Sequence, residues 1–157
     1  MQLRSFGVVG VVFGMLLAFV WLVLRARPQA STETPMITLN VGSVIVQAEI
    51  ADTPARKARG LSGRASLADG SGMLFPFAPV QRPTFWMKDM LIPLDLVWIR
   101  GGKVTEITSN VPPPSGSGAL PLYRPAAGVD AVLEVAAGFA ERAGVAVGDT
   151  VRQAPVP

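Results

Sequence analysis

The chain has 157 residues, half of them hydrophobic, and contains neither cysteine nor histidine. Those absences exclude disulfides, Ser-His and Cys-His nucleophiles, the commonest general base and most zinc sites. The net charge is +3, but Arg4, Arg25, Arg27 and Glu33 all flank an apolar N-terminal segment, and the remainder carries eleven basic and ten acidic groups. That balance lacks the basic face that nucleic-acid binding needs, so no nucleic-acid partner is expected.

From Phe6 to Leu24 the chain carries no charge. A helix spanning a bilayer core needs about 20 apolar residues, whereas a cleavable signal core runs to about 7–15 and ends in small residues. Arg25-Ala26-Arg27-Pro28 follows directly, a poor cleavage context. Residues 1–25 are therefore expected to form an uncleaved signal anchor, a single transmembrane helix, in preference to a cleaved signal peptide and a secreted product. Residues 26–35 read as a polar tether and residues 36–157 as one folded domain. The expected location is the bacterial inner membrane, with the domain in the periplasm or outside. Arginines on both sides of the helix leave the positive-inside rule nearly balanced.

Within the domain, Met36 to Asn40 and Ser43 to Ile50 are β-branched runs separated by Val41-Gly42, a hairpin signal. Asp52-Thr53-Pro54 opens a short helix, since a capping residue precedes a proline whose missing N–H costs nothing in the first turn. That helix carries Arg56, Lys57 and Arg59 and should stop near Gly60. Ser62 to Gly72 reads as a loop. Met73-Leu74-Phe75 is a short apolar run cut off by Pro76.

Thr84 to Met90 is expected to be a strand, with Phe85, Met87 and Asp89 on one face and Trp86, Lys88 and Met90 on the other. Leu94 to Arg100 is the next strand, apolar on both faces apart from Asp95, and Gly101-Gly102 turns it onto Lys103 to Thr108. Asn110 to Pro125 is a Pro- and Gly-rich surface loop, long enough for a functional role. A strand from Val129 to Val135, a helical turn from Gly138 to Ala143 and a last strand at Val151 complete the chain. The expected class is mainly β (β-rich α+β): a small β-barrel or rolled sheet with two short helices, preceded by the transmembrane helix.

Several segments resemble the bacterial and archaeal DUF192 (UPF0127) family of uncharacterised small domains. They are Glu49 to Pro54, Ala58 to Arg64, Gly72 to Phe75, Phe85-Trp86-Met87-Lys88-Asp89 with Ile92-Pro93-Leu94-Asp95, Val132 to Val135, and Gly148-Asp149. The resemblance implies a compact, mostly β domain, often exported, and supplies no activity. This chain departs from the family in having Asp89 where Asn is usual and Ala131 where an aromatic is usual.

A lone carboxylate buried at Asp95 would cost several kcal/mol, so it should be neutralised, bound to a turn, or paired with Lys88, Arg59 or Arg82. Alternatively, Asp95 and its partner form the floor of a polar pocket rimmed by Trp86. Trp86 is a candidate stacking platform and Trp98 a core residue. The thioethers of Met73, Met87 and Met90 suit a soft metal but lack supporting ligands and read as core.

The leading expectation is a non-enzymatic, membrane-tethered extracytoplasmic binding or accessory domain. Its contact surface is expected around Arg59, Trp86, Lys88, Asp89 and Asp95, without metal or cofactor. Its partner would be an envelope glycan, peptide or protein. The alternative is an acid–base enzyme acting on envelope carbohydrate or peptide through paired carboxylates, Asp89 with Asp95 or Glu49 with Asp52. A structural role docking through the Pro-rich loop is the third reading.

Overall fold

A computed structural model describes residues 34–116 and 118–155. The segment read as a membrane anchor lies outside these residues. Among the described residues no helix is long and apolar enough to cross a membrane.

The elements are β1 (Met36–Val41), β2 (Val44–Ile50), α1 (Pro54–Arg59), β3 (Ser71–Gln81), β4 (Leu94–Arg100), β5 (Lys103–Val111), β6 (Val129–Ala136), α2 (Phe139–Arg142) and β7 (Val151–Gln153). The strands form one seven-stranded sheet in the order β5-β4-β6-β3-β2-β1-β7. All pairings are antiparallel except β2 with β3. A parallel pair needs a crossover, which here carries α1.

The outermost strands return towards each other. Val151 donates its N–H to the Gly102 carbonyl at 2.8 Å, and Val104 donates to the Asp149 carbonyl at 2.9 Å. These bonds tie the approach to β7 onto the β4–β5 hairpin and curl the sheet into a half-barrel. The described residues are thus mainly β with two short helices, as their punctuation implied.

Both faces of the sheet are covered, which is why β4 is buried from Leu94 to Ile99. Val97 and Ile99 of β4 join Leu133 and Val135 of β6 in a core closed by Phe139 and Ala140 of α2. Leu94, Leu96 and Trp98 point the other way and join Val132, Phe75 and Met73 in a second core. Ala51 and Leu61, on either side of α1, together with Met87 and Met90, cover that second core. The three methionines considered as soft-metal ligands thus share one apolar cluster.

Two strand expectations need correction. Pro76 does not end β3, which runs on to Gln81 because the pairing with β6 shifts register between Pro76 and Gln81. Thr84 to Met90 is not a strand. Its only bridge pairs Phe85 with Tyr123, and Met90 donates to the Met87 carbonyl at 3.2 Å across a turn. Asp89 has φ 57° in that turn, so the alternating faces break there, with Met87 and Met90 buried and Trp86, Lys88 and Asp89 exposed.

Candidate functional site

Helix α1 starts because the Thr53 side chain accepts from the Arg56 N–H while Pro54 occupies the first turn. It ends at Gly60, whose φ 51° and ψ −136° suit glycine. The chain then folds down onto the second core through Leu61. Ser62 donates its hydroxyl to the Lys88 carbonyl at 2.9 Å, and Gly63 donates its N–H to the Asp89 carbonyl at 2.8 Å. Two sequence motifs distant in the chain are thereby latched together.

Between them lies a cavity of about 290 Å³. One wall is α1 and its exit, including Lys57, Arg59, Gly60 and Leu61. Phe75 and Phe77 of β3 form a second wall, and Pro83 to Trp86 with Met90 form the third. Phe85 organises the aromatic side, meeting Phe75, Phe77 and Trp98 edge-to-face at centroid distances of 5.1, 6.4 and 5.6 Å. Its backbone exchanges two 2.9 Å hydrogen bonds with Tyr123, which fastens this wall to the Pro-rich loop.

Glu134 also lines the cavity. It stands in β6, in register with Leu96 of β4 on one side and Met73 of β3 on the other. It is 6% exposed, and its Oε2 has no hydrogen-bond partner among the described residues. Burial pushes its carboxyl up from 4.5 to about 8, so the protonated form prevails at neutral pH. The backbone is closely packed there too, for a Cβ on Gly72 of β3 would lie 2.5 Å from the Glu134 carbonyl oxygen.

The two lysine and arginine side chains of the wall differ. Lys57 donates to the Pro76 carbonyl and places its Nζ 4.4 Å from the centre of the Phe77 ring. Arg59 is exposed, and its side chain makes no ion pair or hydrogen bond among the described residues, although its carbonyl accepts from the Ser62 N–H at 3.1 Å. Trp86, 52% exposed, forms part of the rim.

Of the residues singled out in the sequence, Arg59 and Trp86 line this cavity, whereas Lys88 and Asp89 occupy the neighbouring exposed turn. Asp95 belongs to the opposite face of the sheet. It is fully buried, and among the described residues no lysine or arginine forms an ion pair with it. Its Oδ1 accepts from the N–H groups of Asn110 at 2.8 Å and Gly138 at 3.1 Å, and its Oδ2 accepts from Ala140 at 3.0 Å. Gly138 has no side chain with which to cap α2, and Asp95 supplies that oxygen from β4. Arg82 donates instead to the Pro125 carbonyl at 3.0 Å.

The carboxylates considered for paired chemistry have other partners. Glu49 forms a two-pronged pair with Arg64 at 2.6 and 2.7 Å. Asp52 pairs with Arg56 at 2.8 Å, and that hydrogen bond holds its carboxyl below the usual range. Glu134, absent from the sequence-based site, carried a readable signal. It interrupts the apolar run Val132-Leu133-Glu134-Val135 as Asp95 interrupts its own strand.

The model of the family described as DUF192, uncharacterized ACR, matches residues 37–153. The chain belongs to the DUF192 family. This DUF192 domain is similar to a solved structure from Sinorhizobium meliloti 1021, described as a candidate transcription regulator, at 27% identity and TM-score 0.72, covering 79% of this chain and 98% of that one. It is also similar to a protein of unknown function from Novosphingobium aromaticivorans DSM 12444, at 30% identity and TM-score 0.71, covering 79% and 89%. No curated protein matches.

Proposed function

We propose that this DUF192 domain is a membrane-tethered, extracytoplasmic binding module that takes a small ligand into the cavity over Glu134 without covalent chemistry. The observation that carries this reading is the unpartnered Oε2 of a buried glutamate lining an accessible aromatic cavity. A buried polar atom without a partner is costly, and a ligand that satisfies it recovers that cost. The tether rests on the uncharged run from Phe6 to Leu24.

The test is a small-fragment screen on the full chain in detergent, read by NMR at the Trp86 indole and the Glu134 carboxyl. Hits should shift both signals. Hits confined to the Pro-rich loop from Asn110 to Pro125 would refute the assignment and favour docking through that loop. Protease protection in spheroplasts checks the topology, with the domain expected to be degraded from the outer side.

A single-acid enzyme is the second reading, because a carboxyl raised to about 8 is suited to general acid catalysis. Glu134 is the only carboxyl among the described residues lining the cavity, so a two-carboxylate glycosidase arrangement has no support here. DNA binding, suggested by the description of the Sinorhizobium neighbour, is not favoured. In the basic cluster of α1, Arg56 is held by Asp52 and Lys57 by the Pro76 carbonyl.

A further inference from the structure

We propose that the ligand class is a small organic monoanion with a flat apolar body and one hydroxyl or carbonyl oxygen. Arg59 takes its anionic group, Phe77, Phe85 and Trp86 take its body, and Glu134 takes its oxygen. This deepens the binding reading and rests on the cavity being the ligand site.

Charge selects the anion. Arg59 and Lys57 are the charged side chains of the α1 wall, and Arg59 has its guanidinium uncommitted among the described residues. A planar guanidinium binds a carboxylate through two parallel hydrogen bonds, so an exposed free arginine at a cavity mouth favours anions and repels amines. The protonated Glu134 adds no opposing negative charge at neutral pH.

The walls select the body. Leu61, Phe75, Phe77, Phe85 and Met90 offer no hydrogen bonds through their side chains, and the hydroxyl of Ser62 is already donated to the Lys88 carbonyl. A carbohydrate would bring several hydroxyls against these apolar side chains, where the Thr84 hydroxyl and the Trp86 indole N–H are the further uncharged side-chain partners, and would leave hydroxyls unpaired, each at a cost. A ring or short acyl chain loses nothing there and gains from contact with the aromatic edges. The protonated Glu134 carboxyl supplies one donor and one acceptor, which fits a single oxygen function on the ligand.

The test titrates the full chain in detergent with four probes by calorimetry: 4-hydroxyphenylacetate, its methyl ester, phenylacetate and tyramine, with N-acetylglucosamine as a fifth, neutral-sugar probe. The acid should bind about tenfold more tightly than its methyl ester, the advantage of one charge-assisted pair. Arg59→Ala should erase that difference. Glu134→Met should erase the preference for 4-hydroxyphenylacetate over phenylacetate while leaving the ester discrimination intact. Because the Arg59 side chain makes no ion pair or hydrogen bond among the described residues, and its backbone contact to Ser62 survives truncation, its variant separates lost recognition from lost folding. If tyramine or N-acetylglucosamine binds more tightly than the acid and still shifts the Trp86 indole, the ligand class is wrong and the cavity reading stands. If no probe binds, or if binding is indifferent to both substitutions, both readings fall.

Discussion

Asp95 and Glu134 stand on neighbouring strands, one register step apart, and point to opposite faces of the sheet. Asp95 pairs with Val135 and Leu96 with Glu134, so the pleat sends the two carboxyls in opposite directions. Each is buried, yet Asp95 has three backbone donors and the Oε2 of Glu134 has no hydrogen-bond partner among the described residues. One carboxyl holds the fold together, and the other is held at the fold's expense.

That expense is measurable as a pH dependence. With the folded carboxyl at about 8 and the reference at 4.5, the folded state binds more protons than the unfolded chain between those values. The contribution of Glu134 to stability should therefore be greatest below about pH 4.5, fall as pH rises, and level off above about pH 8, a span on the order of 5 kcal/mol. Glu134→Gln should remove this contribution, stabilising the protein at pH 8 and leaving it little changed at pH 4. Urea unfolding across that range checks the slope.

Asp95→Ala should behave in the opposite sense. It would strand the N–H groups of Asn110, Gly138 and Ala140, so a loss of at least about 3 kcal/mol is expected, with α2 loosened first. Hydrogen exchange at Ala140 would show the local effect before global unfolding does.

Gly60 is predicted to be intolerant of a side chain for reasons of backbone, since an added Cβ would meet only ordinary contacts, 3.5 Å from Phe75 and 3.8 Å from Glu134 Oε2. At φ 51° and ψ −136°, Gly60→Ala should cost about 1–3 kcal/mol. The new methyl would also narrow the cavity over Oε2, so probe affinity should drop beyond what denaturation midpoints explain.

Asp89 has φ 57°, a conformation that Asn and Asp adopt more readily than other side-chain-bearing residues. Asn and Asp are thus interchangeable at this position on backbone grounds. Asp89→Asn should shift stability by less than about 0.5 kcal/mol, whereas the β-branched Asp89→Val should cost about 1–2 kcal/mol. Paired thermal melts distinguish the two.

Much of the architecture was legible from local chemistry. Gly101-Gly102 placed the β4–β5 hairpin, and Thr53-Pro54 placed the start of α1. Both depend on a backbone requirement that few residues meet. Legibility ended where tertiary contacts decide. Pro76 looked like a strand stop, but a register shift accommodates it. Thr84 to Met90 looked like an alternating strand, but the αL turn at Asp89, latched to Ser62 and Gly63, overrides the period. Of the site expected from sequence, Arg59 and Trp86 line the cavity proposed as the ligand site, while Asp95 attracted attention as a buried charge that the fold satisfies with backbone N–H groups. Glu134 posed the same question one strand away, and sequence could not show which of the two carboxyls would find donors.

The most direct measurement is the pH titration of the Glu134 side-chain carboxyl carbon by NMR in the full chain. A midpoint near 8 is predicted, moving when 4-hydroxyphenylacetate occupies the cavity. A midpoint in the ordinary carboxylate range, near 4.5 and unmoved by ligand, would mean that water or a partner already satisfies Oε2, and the account of the cavity as a ligand site would be contradicted.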